Sequence, residues 1–343
     1  RAVTCIDNAK HSITMVCLAL SMPREYVARA VTCIDNAKHS ITMVCLIMTE
    51  DHSTDDIIDA LVRAAKRGLD VQVAADVFTY GEFSGHFRPF KYYSKPSLAA
   101  TAMSKRLRNA GVRFTWLGKF SLLPIFGRTH SKITIIDDTV FSFGGVNLDN
   151  ASLDFADYMF EYKNAALAAQ LTDDARRLID ADDDNFAYKS HSYDYPSVGR
   201  VLVDGGFQGD SIIYRRACQL AREATDITFV SQYCPTGKLS RILRKKQAKL
   251  YFNRVENTNN RLNSLFIRMS VWFNRFKTLY TNTQYLHAKF ILFTMPDGQK
   301  IALTGSHNFI YTGVIMGTRE IALETDHPVI IKQLESFFQK YVA

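Results

Sequence analysis

The sequence predicts an α/β protein of two pseudo-equivalent halves, each a mixed sheet flanked by helices, with a reactive site at their interface. Helix-like and strand-like segments alternate along the chain, which indicates layered α/β packing. After about residue 196 the same order of segments starts again without repeating the first half's sequence. A His-x-Lys triplet occurs once in each half, at His130 and at His287.

The chain has 343 residues, 47% of them hydrophobic, enough for two cores. With 22% charged residues and no low-complexity tract, it is not a disordered chain. The formal charge of +8 favours anionic partners such as phospholipid surfaces, nucleic acids or phosphorylated metabolites. Between residues 238 and 289, Glu256 is the only acid among twelve basic residues, either an anion-facing surface or a solvated basic face. None of the six cysteines forms a C-x-x-C pair, so reduced thiols of a cytosol-facing protein are expected, not a disulfide framework or a zinc site. No apolar run reaches the roughly 18 residues needed to span a bilayer. The expected location is peripheral, on the cytoplasmic face of a membrane. An N-terminal anchor beyond Arg1 is compatible with that reading.

Residues 1–18 and 29–46 are identical, a period of 28 residues. Structural repeats drift and recur more often, so this reads as a recent duplication or a sequence-assembly artefact. Only the second copy continues into a coherent unit. A helix runs to Lys38, then a strand over 40–48, a helix over 55–66, Gly68 as a stop, and a strand over 69–76. Residues 1–28 are therefore expected to be an appendage without catalytic role. An aromatic stretch at 78–96 precedes a helix over 98–109 and a strand over 112–117. The acidic, then polar segment 180–199 links the halves, giving expected units of 29–195 and 196–343. The second half restarts with a helix over 211–223, a strand over 226–233, a helix over 238–247 and a strand over 249–253.

The chemistry-bearing residues fall in matching order. His130-Ser131-Lys132 is followed by four apolar or β-branched residues and Asp137, and His287-Ala288-Lys289 by Phe290-Ile291-Leu292-Phe293. On a strand, residues two apart project from one face, so each His and Lys would point together. A glycine motif follows in each half, Gly144-Gly145-Val146-Asn147 and Gly305-Ser306-His307-Asn308. Glu161 and Glu320 come 31 and 33 residues after their histidines. A lone histidine in a strand is most often a core residue, with a neighbouring lysine snorkelling to solvent. Two complete sets in the same order are not explained that way.

The pattern H-x-K-x4-D with a downstream G-G/S-x-N resembles the phospholipase D superfamily, including bacterial cardiolipin synthases, over about residues 26–341. Gln232-Tyr233-Cys234-Pro235 adds to the likeness. One departure is Thr294 where the second motif's aspartate would fall, with Asp297 in a later turn. In the family that aspartate looks structural, although Asp137 is counted here with the site residues. The resemblance implies His130 as nucleophile and His287 as general acid.

The chemistry accounts for the residue set. An anionic phosphodiester resists attack, so its nonbridging oxygens must be neutralised while charge rearranges. Lys132 and Lys289 would supply that charge, with hydrogen bonds from Asn147 and Asn308 and with Gly145 and Ser306 at the phosphate. One histidine would form a phosphohistidine and the other protonate the leaving oxygen. Glu161 and Glu320 would fix the rings' tautomers. No metal and no cofactor is called for: a lysine beside each histidine repels a divalent ion, and no H-E-x-x-H appears. His307, inside the second glycine motif, is not assigned a role.

Sites of this kind serve lipid and nucleic-acid diesters alike. Residues 261–280 carry apolar side chains at helical spacing with Arg261, Arg268, Arg275 and Lys277 interleaved. That make-up suits either a membrane-interface helix or an ordinary amphipathic helix. The apolar stretch 118–127 would suit acyl chains or a buried connector. The basic stretch 238–249 would suit a nucleic-acid groove. The reading taken is a cardiolipin synthase-like phosphatidyltransferase acting on phospholipid at a peripheral membrane surface. A hydrolytic phospholipase D, a nuclease-type phosphodiesterase and an inactive lipid-binding scaffold are the alternatives. No protein partner is indicated.

Overall fold

The computed structural model describes residues 18–81, 95–118, 127–183, 187–195, 198–258 and 261–343. Residues 1–17, and with them most of the first repeat copy, lie outside the described residues. So do 82–94 of the aromatic stretch, 119–126 of the apolar segment, and parts of the acidic link.

In the first half the elements are β1 (Leu18–Ser21), α1 (Pro23–Asn36), β2 (Ser40–Cys45), α2 (Asp55–Lys66), β3 (Asp70–Asp76), α3 (Lys95–Asn109), β4 (Arg113–Leu117), β5 (Ile133–Ile136), β6 (Thr139–Ser142), β7 (Met159–Lys163) and α4 (Ala165–Asp183). The second half has β8 (His191–Tyr195), β9 (Gly199–Gly205), α5 (Ile212–Glu223), β10 (Asp226–Val230), α6 (Gly237–Lys245), β11 (Lys249–Tyr251), α7 (Arg261–Asn274), β12 (Phe290–Thr294), β13 (Lys300–Gly305), α8 (Tyr311–Met316), β14 (Arg319–Thr325) and α9 (Pro328–Tyr341). Local chemistry explains the sharpest elements. Helix α2 has Asp55 and Asp56 in its first turn and Arg63 and Lys66 in its last, which suits the helix dipole. It buries Ile57, Ile58, Leu61 and Ala64 at helical spacing. Ser211 caps α5 by accepting the Tyr214 N–H.

Two seven-stranded mixed sheets result, ordered β1-β7-β6-β5-β2-β3-β4 and β11-β10-β12-β13-β14-β9-β8. Read in opposite directions, six strands of each correspond, β1 with β9, β7 with β14, β6 with β13, β5 with β12, β2 with β10 and β3 with β11, while β4 and β8 have no counterpart. Helices α1, α2 and α3 cover the outer face of the first sheet, and α5 and α6 that of the second. Between the sheets lies one shared core, in which Ile133, Ile135, Tyr158 and Phe160 meet Phe290 and Leu323 together with residues of α4 and α9. Both faces of β5 and β12 are therefore buried, which is why neither strand reads as a polar–apolar alternation.

The expected unit boundaries move. Leu18–Ser21 pairs antiparallel with β7 and closes that edge of the first sheet. Residues 23–28 are the first turns of α1, where Tyr26 is buried and its hydroxyl meets that of Thr134 at 2.9 Å. Residues 18–28 are thus part of the first half and not an appendage. A chain cut before residue 29 would lose an edge strand. At the other boundary, β8 precedes residue 196 yet belongs to the second sheet.

Asp137 is also corrected. It sits in the β5–β6 turn with a left-handed φ of 52°, a conformation aspartate tolerates better than most residues. Its carboxylate accepts the N–H groups of Lys38 (2.8 Å), His39 (2.9 Å) and Ser40 (3.0 Å), fastening the start of β2. In the second half the Thr225 N–H reaches the carbonyl of Thr294 at 2.8 Å instead, so the strand start is held without a carboxylate. Partial burial raises the Asp137 pKa, but these three donors outweigh it and hold the carboxyl below its ordinary 3.8. Asp137→Ala should therefore cost about 1–2 kcal/mol of stability by denaturant titration near neutral pH, with activity per folded molecule unchanged. Because the folded pKa lies below the unfolded one, the wild-type advantage should shrink as pH falls below 3.8.

Candidate active site

The two His-x-Lys triplets stand just before β5 and β12, not inside the strands as expected. The cause is a shared acceptor from the opposite half. The His130 and Ser131 N–H groups both donate to the Arg319 carbonyl (2.8 and 3.0 Å). Those of His287 and Ala288 both donate to the Ala156 carbonyl (3.0 and 2.9 Å). Two consecutive N–H groups on one acceptor break the ladder pattern, so each segment leaves its own sheet and leans on the other half. Side-chain alternation survives: Ser131 and Ala288 are buried away from the pocket, while His130, Lys132, His287 and Lys289 line one cavity of about 490 Å³. Asn147 and Asn308 line the same cavity, each buried with an amide oxygen that has no hydrogen-bond partner.

Each histidine is tied to a carboxylate from the opposite half. His130 Nδ1 lies 3.2 Å from Glu320 Oε1, and His287 Nδ1 lies 2.6 Å from Asp157 Oδ2. Glu320 was expected near a histidine; Glu161 was expected in the second place and does not occupy it. Glu161 lies within β7 and pairs with Arg29 at 2.6 Å. The residue missed is Asp157, which precedes β7 as Glu320 begins β14. Backbone hydrogen bonds establish the correspondence: the Gly145 N–H reaches the Tyr158 carbonyl as the Ser306 N–H reaches that of Ile321. Counting from the glycine motifs does not find it, because Asp157 lies 12 residues after Gly145 and Glu161 lies 16 after it, against 14 from Ser306 to Glu320. Counting from the histidines failed because the β12–β13 turn, with its Pro296-Asp297-Gly298 insertion, is longer than the turn at Asp137.

Gly145 and Ser306 do not line the cavity; they seat the carboxylates. A side chain at Gly145 would stand 2.7 Å from Asp157 Oδ2 and 2.8 Å from Lys289 Nζ, so it would have to displace both groups from their places. Ser306 uses the equivalent space to donate its hydroxyl to Glu320 Oε2. His307, also buried, accepts the Phe309 N–H on Nδ1 at 2.7 Å. Other residues that sequence reasoning left aside form the walls. The Tyr285 ring packs tilted against Phe155 at 4.7 Å, the Phe155 ring lies 5.7 Å from that of His287, and Gln232 donates to the Tyr285 hydroxyl.

Buried charge dominates the electrostatics. Lys132 and Lys289 donate to the carbonyls of His130 and His287, and burial lowers both lysine pKa values, that of Lys289 to about 7. Burial, and then Lys289, bring His287 to about 4, against the pull of Asp157. Burial raises Glu320, but His130, His307 and Ser306 together outweigh it and bring it to about 2. Burial likewise raises Asp157, and His287 with Lys289 outweigh it. Two ammonium groups and the side-chain amides of Asn147 and Asn308 in one pocket suit an oxyanion such as a phosphodiester, to which the amides would donate through Nδ2 and which would stabilise the charged lysines in turn. Among the described residues no group of three or more His, Cys, Asp or Glu could hold a metal ion, and no helix is long and apolar enough to cross a membrane.

Residues 30–179 match the family model described as cardiolipin synthase, PLD-like domain, so the first half carries a phospholipase D-like domain. Among solved structures, phosphatidylserine synthase from Haemophilus influenzae Rd KW20 is similar with a TM-score of 0.72 and 15% identity, over 94% of this chain and 85% of that one. Polyphosphate kinase from Porphyromonas gingivalis is similar with a TM-score of 0.57 and 12% identity, over 94% of this chain but only 49% of its own. These likenesses concern the fold alone: two mixed sheets flanked by helices. No curated protein sequence matches the chain.

The depressed Lys289 pKa makes a stability test. Between about 7 and the ordinary 10.5 the unfolded chain binds more protons at this residue than the folded chain does, so stability rises with pH there. Denaturant titrations of wild type and Lys289→Met across that window should diverge, wild type gaining at most about 1.4 kcal/mol per pH unit over the variant.

Proposed function

We propose that this chain, whose first half is a phospholipase D-like domain, is a phosphatidyltransferase that breaks and re-forms phospholipid phosphodiester bonds through a phosphohistidine. The observation that carries the reading is the pair of histidines in one cavity, each held by a carboxylate from the opposite half and each beside a buried lysine. A lipid substrate is favoured because the matched domain is described as that of cardiolipin synthase and, of the two whole-chain likenesses, the one with the higher TM-score is to a phosphatidylserine synthase.

In the first step His130 Nε2 attacks phosphorus, the bond from phosphorus to the leaving alcohol breaks, and His287 gives that oxygen a proton. Lys132, Lys289 and the amides of Asn147 and Asn308 hold the nonbridging oxygens as charge moves. In the second step an acceptor alcohol gives its proton to His287, its oxygen bonds to phosphorus, and the P–N bond breaks. Glu320 and Asp157 act as positioning residues that keep each Nδ1 engaged and each Nε2 turned to the pocket. In the protein alone, burial and Lys289 hold His287 at about 4, so at neutral pH the ring is uncharged and its Nε2 has no proton to give. A diester bound between the lysines adds a negative charge beside the ring, which raises its proton affinity. The acid is thus armed by the substrate's own charge.

Purified protein given phosphatidylglycerol liposomes should yield cardiolipin and glycerol by mass spectrometry. Phosphatidic acid alone would make it a hydrolase, and cleavage of single-stranded DNA with intact lipid would overturn the lipid reading. His130→Ala should lower turnover by about a thousandfold or more. His287→Ala should do the same with a lipid leaving group but keep a burst with p-nitrophenyl diesters, whose leaving group needs no proton; a burst in His130→Ala instead would exchange the two roles. Asp157→Asn should lower kcat by about a hundredfold, whereas Glu161→Gln should stay within severalfold of wild type.

A further inference from the structure

We infer that helix α7 is a docking element that seats the protein on an anionic phospholipid bilayer beside the mouth of the catalytic cavity. The inference rests on the phospholipid reading above and adds the surface from which substrate is taken.

Of eleven large apolar side chains exposed among the described residues, six fall between residues 265 and 279, so their exposure is a local property of this segment. On α7, Leu265, Met269 and Trp272 follow at spacings of four and three, with Phe266 and Phe273 alongside, and Trp272 and Phe273 are 73% and 67% exposed. Ile267 is the one fully buried apolar side chain described on the helix. A helix that holds to the core by so little while presenting a broad apolar face needs a second apolar phase. Exposed Arg268, Arg275 and Lys277 border this face, and Glu256 is the only acid from residue 238 to residue 289. Apolar side chains ringed by cations match a bilayer whose headgroups are phosphates. A second copy of the same surface would bring like charges together. Single-stranded nucleic acid would use the aromatic rings but leave Leu265 and Met269 exposed to water.

The helix also touches the site. Asn263, at its N-terminal end, lines the catalytic cavity, and its side-chain oxygen accepts the Tyr233 hydroxyl at 2.9 Å. A bilayer against α7 would therefore present lipid headgroups at the cavity.

The chain has two tryptophans, Trp116 in the core and Trp272 on this face. In a Trp116→Phe background, Trp272 emission should shift to the blue on adding phosphatidylcholine vesicles that contain phosphatidylglycerol, and much less with phosphatidylcholine alone. Charge reversal of Arg268, Arg275 and Lys277 together should weaken vesicle binding by about a hundredfold or more. Trp272→Ala with Phe273→Ala should weaken it at least about tenfold and lower cleavage of vesicle lipid in proportion, while turnover of soluble bis(p-nitrophenyl) phosphate stays within about twofold. Circular dichroism would verify that each variant is folded. Trp272 emission unmoved by anionic vesicles would overturn the inference. So would a shift that appears with rising protein concentration without lipid, or one that appears only with single-stranded DNA. The two readings fail separately. Vesicle binding without turnover of any lipid removes the enzyme and leaves the docking surface, whereas turnover of monomeric short-chain phosphatidylglycerol without vesicle binding does the reverse.

Discussion

A buried imidazole presents a defined lone pair only if its other nitrogen is held, and in this protein neither half holds its own. Asp157 of the first half engages His287 of the second, and Glu320 of the second engages His130 of the first. The backbone is exchanged in the same sense, through the carbonyls of Ala156 and Arg319. A half folded alone would have a histidine without its carboxylate and a carboxylate without its partner, a costly pair of buried groups. Site formation and docking of the halves are therefore one event. The shared core, where Tyr158 meets Phe290 and Phe337 and its hydroxyl meets Thr304 at 2.6 Å, is what makes that docking rigid enough to align two rings.

The same closure explains the charge pattern. Ammonium groups so deeply buried cost several kcal/mol each unless opposed, and the opposing carboxylates are already committed to the histidines. The lysines are left undercompensated, and their pKa values fall. In the proposed reaction an incoming phosphodiester would supply the missing negative charge and raise the proton affinity of both lysines and of His287. On that proposal, affinity for the anion and readiness of the acid would come from one electrostatic deficit.

Much of this was legible in the sequence. Helix α2 was bounded to the residue because its capping charges, apolar spacing and terminal Gly68 agree with one another. The histidines, lysines and asparagines of the pocket were legible because the motif occurs twice, and repetition removed the usual doubt about an isolated histidine. What failed depended on lengths that periodicity does not reveal. Asp157 was passed over for Glu161 because an insertion in a distant turn shifts the count, and only sheet register shows which acid is equivalent. Asp137 carries a motif position, but its work is to fasten Ser40, a contact 97 residues away in sequence. β1 was hidden because a four-residue edge strand leaves almost no pattern.

The pseudo-symmetry is imperfect where the chemistry would need it to be. Asp157 is short, holds its ring at 2.6 Å, and is backed by a glycine whose missing side chain lets Lys289 stand close. Glu320 is longer, stands 3.2 Å from its ring, and is steadied by the hydroxyl of Ser306. The His287 side chain is 9% exposed and that of His130 is 25% exposed. A nucleophile and an acid–base group cannot be interchangeable, since one must form a bond to phosphorus while the other exchanges protons. Two halves of common plan give the opposed geometry, and the unequal carboxylates give the two rings different environments. Symmetry brings the groups together, and its local breaking gives the two rings the unequal surroundings that the proposed roles require.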